Sequence, residues 1–179
     1  MSDWHSLDTG SRRVYTVLAW GSLLTIVLIG IYGLFEWSTG HMGVIGNQFV
    51  DFYWPYPPYF AQPVTYLSVA CVVLFYAGLR LWEERMTRWP KALLSLLIII
   101  GFVVAFSAAY EVIYNFMLWG ATYSIACLGK VALCDPDTLF SSYPLPWNLV
   151  FATRAFSALF VCSAYSVYYL RRLTRSQVI

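Results

Sequence analysis

The sequence predicts an all-α integral membrane protein: a four-helix bundle with both termini on the cytoplasmic side and two longer outer loops. Three observations carry that expectation. Of 179 residues, 60% are hydrophobic and only 11% charged, whereas soluble domains are about 25% charged. Four apolar runs each reach the roughly 20 residues that cross a bilayer core about 30 Å thick. Lysines and arginines gather at one set of ends of those runs. No long polar segment leaves room for a soluble domain, so residues 1–179 read as one four-span unit.

The first span is expected over 14–35, a run without charge. It is too long for an ordinary signal h-region and no small-residue cleavage site follows it, so it is read as a retained helix. The second is expected over 63–82, opened by Pro63, whose missing N–H is harmless at a first helical turn. The third covers 92–119 and contains Glu111, and the fourth covers 147–170 and contains Arg154.

Orientation follows from the basic residues. Arg12, Arg13, Arg80, Arg85, Arg88, Lys91, Arg171, Arg172 and Arg175 fall on one side of the expected spans, while Lys130 alone falls on the other. The positive-inside rule puts the first group, and both termini, in the cytoplasm, with the cell membrane as the expected location. The small basic clusters sit beside apolar runs, which suits lipid headgroups as partners and argues against nucleic acid.

The cysteines divide by position. Cys127 and Cys134 are expected in the second outer loop, in a compartment where disulfides persist, and are read as a bridge that stiffens it. A catalytic thiol relay is the weaker reading, because the chain has no C-x-x-C. Cys71 and Cys162 lie within spans. Counted from the outer ends of those spans they differ in depth by on the order of 10 Å, so they are not expected to pair.

Neither a metal nor a cofactor is expected. His5 and His41 fall outside every span, which excludes bis-histidine haem within the membrane for this chain alone. Glu36, His41 and Asp51 have no spacing that demands an ion. The first outer loop ends in NQFVDFYWPYPPYFAQ, where Trp54, Tyr56, Tyr59 and Phe60 stand among prolines that forbid a regular helix. An interfacial aromatic belt is the plain reading. A docking surface for another membrane subunit is the functional one.

Two charges within spans make the candidate site. Glu111 lies eight residues below Trp119, and Arg154 lies seven below Trp147. Consecutive antiparallel helices are usually neighbours, so an ion pair between them is expected, offsetting an insertion cost of roughly 2.5–3.5 kcal/mol for each charge. Helical spacing adds Ser107, Tyr114 and Asn115 around Glu111, and Ser157 around Arg154. Glu36, at the outer end of the first span, is a possible third charged member. The pair reads either as a buried clasp fixing helix register or as an outward-opening seam for a substrate, a quinone headgroup or a proton.

No nucleotide loop, nucleophile elbow or metal motif accompanies these residues, so no catalytic residue is assigned. The expectation is a non-catalytic integral membrane subunit, packing with other subunits or with copies of itself in a larger complex, respiratory or otherwise energy-transducing. The alternatives are a small oligomeric transporter or channel using Glu111, and a quinone-binding or thiol-linked membrane oxidoreductase.

Overall fold

A computed structural model describes residues 8–39, 45–50, 62–127 and 147–176. Its described residues are helical apart from short turns and one isolated bridge, Ile45 to Trp147. Four helices are long and apolar enough to cross a membrane. In chain order the helices are α1 (Thr9–Ser38), the single-turn α2 (Asn47–Val50), α3 (Pro63–Met86), α4 (Lys91–Cys127) and α5 (Leu149–Ser176).

Local chemistry starts and stops them. Asp8 caps α1 by accepting from the Gly10 N–H, which satisfies one of the four donors a helix start leaves unpaired. Pro63 opens α3 with no side-chain cap from Gln62. Asn148 caps α5, its Oδ1 accepting from Val150 N at 2.9 Å and Phe151 N at 3.2 Å. α5 therefore begins at Leu149, and Trp147 sits in the bridge instead.

All four long helices outrun their expected spans. α4 is the extreme case: its 37 residues make a rod about 55 Å long, and Cys127 lies in its last turn rather than in a loop. Cys134 lies outside the described residues, as do His5, His41, Asp51 and the aromatic segment with Trp54, Tyr56, Tyr59 and Phe60.

The helices pack in the order α1, α3, α5, α4, so chain neighbours are not always spatial neighbours. α3 lies chiefly between α1 and α5, and α5 between α3 and α4. α1 turns Ser11, Tyr15, Ala19, Ser22, Ile26, Ile29, Gly33 and Glu36 inward at steps of three and four, the spacing of a left-handed helix pair. α4 does the same with Gly101, Ala105, Ala108, Val112, Asn115, Trp119 and Thr122. Gly101 is where α4 and α5 come closest: a Cβ there would stand 3.0 Å from Val167 and 3.3 Å from the Ser166 hydroxyl. Small residues at such crossings let backbones approach where lipid offers no hydrophobic drive.

The best-buried cluster gathers Met86, Leu94, Tyr169, Leu170 and Leu173, the end of α3, the start of α4 and the end of α5. The same end receives the start of α1 through Tyr15. It carries the nine basic residues grouped by sequence and is here called the basic end. At the opposite, loop end, Phe49 of α2 packs against Gly33 of α1 and stacks on Phe151 of α5 at 5.4 Å. Gly46 has φ +95 and faces the Phe151 ring, whose nearest atom is 2.6 Å from where a Cβ would sit, so both its backbone and its space call for glycine. Asn148 joins the two connections, donating from N to Ile45 O at 2.8 Å and from Nδ2 to Asn47 Oδ1 at 3.0 Å.

Candidate functional site

The two spanning charges stand at one level but do not meet. The antiparallel contact of Gly101 with Ser163, Ser166 and Val167 sets the register of α4 against α5, and that register brings Glu111 level with Arg154. Arg154 nevertheless turns away from α4 and donates through Nη1 to the Thr65 hydroxyl of α3. Glu111 sits half-buried on the flank of the α4–α5 contact, its carboxylate without a hydrogen bond or ion pair among the described residues. The expected clasp between Glu111 and Arg154 is thus not formed. Helix rotation is the reason, since equal depth and adjacency place two side chains on one level without aiming them at each other.

The expected polar seam divides likewise. Asn115 faces α5 and is 1% exposed, and its Nδ2 finds no acceptor. Ser107 and Tyr114 are exposed instead, and Tyr114 stacks on Tyr110 at 6.3 Å along the outer surface of α4. Ser157 donates to Thr153 O of its own helix at 2.7 Å. Glu36 ends the inward row of α1, half-buried, and makes no ion pair with Arg154.

Cys71 and Cys162 need a correction in their depth. Thr65 meets Arg154 and Tyr76 meets Tyr165, so the parallel helices α3 and α5 run with a constant offset along their contact. That offset leaves the two cysteines about 3 Å apart in depth. The larger difference expected from sequence came from counting each span from its own end, whereas α5 begins farther out than α3. Both thiols are free.

A second polar cluster, at the basic end, escaped the sequence reading. Arg80 was grouped there with the turn after α3, yet it lies inside the helix and donates from Nη1 to Glu83 Oε2 at 2.9 Å. Its guanidinium stands 5.9 Å from the centre of the Tyr15 ring of α1, within cation–π range. Tyr15 leads to Tyr76 at 5.9 Å, Tyr76 to Tyr165 at 5.2 Å, and Tyr165 to Tyr169 at 5.9 Å. Glu83 is 9% exposed and Tyr169 4%, and the buried Tyr169 hydroxyl makes no hydrogen bond among the described residues. Three helices therefore converge on one Arg–Glu pair ringed by tyrosines. The i, i+3 spacing of Arg80 and Glu83 was the available signal, because it puts opposite charges on one helix face.

Among the described residues, no three His, Cys, Asp or Glu side chains come together as a metal site. The Arg80–Glu83 pair is formed, with Arg80 Nε and the Tyr169 hydroxyl buried beside it without hydrogen-bond partners among the described residues, whereas Glu111 and Arg154 carry opposite charge at one level and are not paired with each other, which makes them the candidate site. No protein-family model, curated protein or solved structure matches the chain.

Proposed function

We propose that the chain is a non-catalytic integral membrane subunit that packs against other membrane chains, or further copies of itself, with both termini cytoplasmic in the cell membrane. The supporting observation is the open packing order. α1 rests chiefly on α3, and α4 on α5, so among the described helices the row has two edge members, α1 and α4. The edges are broad and apolar: Leu24, Ile31 and Leu34 on α1, and Ile99, Phe102, Phe106 and Ile113 on α4, are all exposed. In a bilayer such faces meet either lipid tails or neighbouring helices, and an open row offers neighbours more surface than a closed bundle does.

Purification from native membranes in mild detergent tests this reading. A stoichiometric partner, or a multiple of 20.5 kDa, is the expected result. A lone 20.5 kDa species that stays monodisperse after lipid is restored would overturn it.

A small oligomeric transporter or channel is the second reading, and Glu111 favours it, since an ionisable residue without an ion pair on a spanning helix is a functional candidate by default. Under that reading Glu111→Gln assembles normally in the membrane and loses flux. Under the subunit reading it alters neither.

A further inference from the structure

Three features of the loop end belong together. Arg154 and Glu111 carry opposite charge at the same level and are not paired with each other. The surface of α5 beside them carries two small side chains, Ala155 exposed and Ala158 half-buried, with exposed Leu159 one turn beyond Ala155. At about 100° per residue Ala158 shares the face of Arg154, and Ala155 lies roughly a quarter-turn round from it. The inferred trough runs over Ala155, with a cation on its α3 side and an anion on its α4 side.

Depth supplies the third feature. Measured along its helix from Lys91, Glu111 stands about 30 Å from the basic end, and Arg154 about 26 Å from Arg171. A hydrocarbon core is about 30 Å thick. With the basic residues at one headgroup layer, the two charges reach the boundary of the other. Apolar tails cannot satisfy them there, but headgroups can.

We propose that this trough binds the headgroup of a zwitterionic phospholipid, Arg154 holding the phosphate and Glu111 the ammonium. Arg154 is suited to the phosphate, because a guanidinium has five donors in a planar fork and Thr65 takes up only one of its nitrogens. Glu111 is suited to the ammonium, because among the described residues nothing donates a hydrogen bond to its carboxylate and it stands partly open. The alanine floor lets the first segments of the acyl chains lie against α5. An anionic lipid would fill the Arg154 side and leave Glu111 facing like charge, which is the origin of selectivity. The proposal does not depend on whether the chain has protein partners.

The test is lipid retention by the intact chain in nanodiscs of mixed phosphatidylethanolamine and phosphatidylglycerol, read by native mass spectrometry. The wild type is expected to retain phosphatidylethanolamine several-fold over phosphatidylglycerol. Glu111→Gln should bring that preference to near parity, and Arg154→Gln should reduce retention of both lipids. Ala155→Leu, at an exposed position with little bearing on folding, should reduce retention by filling the floor, which keeps the test decisive if a charge variant fails to assemble. No preference in the wild type, or a preference that survives both Glu111→Gln and Ala155→Leu, would overturn the proposal. So would displacement of the bound lipid by free phosphoethanolamine at equal concentration, since that would identify a soluble zwitterion as the ligand.

Discussion

Glu83 holds the guanidinium of Arg80 at 2.9 Å, and its loss is more costly than its single hydrogen bond suggests. Glu83→Gln keeps the shape and removes the charge, leaving Arg80 among tyrosines with no counter-ion. Breaking a fully buried pair costs about 3–5 kcal/mol. The Arg80 side chain keeps 27% of its surface exposed, so we expect about 1–3 kcal/mol, measured as thermal unfolding in detergent. Asn115 should behave oppositely. Its buried Nδ2 has no acceptor, so Asn115→Leu is expected to leave stability unchanged or raise it by about 1 kcal/mol. A large loss would mean that this amide binds something. At this scale sequence was a partial guide. It marked Glu111 and Arg154 as unusual and brought them level, because depth follows from counting along a helix. It missed their separation, because side-chain direction depends on how each helix is rotated against its neighbours. Arg80 was overlooked because it stands two residues from the expected end of the second span, where a basic residue reads as a headgroup contact.

Each long helix was legible from its apolar run, and each proved longer than that run, because helices continue into the headgroup region as long as nothing breaks them. Pairing between elements was harder to read. The adjacency of α4 and α5 follows from their connection, but the placing of α3 between α1 and α5 has no signature in hydropathy. The α4–α5 contact depends on Gly101, where a bulky side chain meets Val167 and Ser166. Gly101→Leu is expected to lower stability by about 1–3 kcal/mol, while Gly21→Leu, at a position with open space around it, should change little. Unfolding of both variants in the same detergent provides the comparison. Asn148 does two jobs, capping α5 and tying the α2 segment to it. Asn148→Ala should therefore lose more than the ~1 kcal/mol typical of a cap, and proteolysis at the loop end should accelerate. Equal loss at Asn148 and at an ordinary cap would show that the tie to Asn47 and Ile45 contributes nothing.

For the molecule as a whole, composition alone specified the class, since a chain with so little charge has no way to remain folded in water with these surfaces exposed. What composition could not specify is the open row, because lipid-facing and partner-facing apolar residues are chemically alike. The thiols offer a whole-molecule test. The bridge expected between Cys127 and Cys134 finds no support, since Cys127 ends α4 and no cysteine pair among the described residues stands at disulfide distance; alkylation of denatured, unreduced protein is expected to label Cys71 and Cys162. Failure of either to label would contradict their free state. The near-level placement of Cys71 and Cys162 further predicts that a short bifunctional thiol reagent links α3 to α5 in the folded protein.

The length of α4 has a consequence for the membrane boundary itself. Spanning helices tilt by at most about 40°, and at that extreme a rod about 55 Å long still rises about 42 Å, some 12 Å more than the hydrocarbon core. No orientation within the usual range submerges it. With Lys91 anchored among headgroups, the final turns from Gly120 to Cys127 must stand clear of the oil, and Glu111 becomes a fixed mark near the waterline. Under the proposed subunit role, α4 would offer a neighbour in the bilayer and one in solution the same helix, at heights set by residue number.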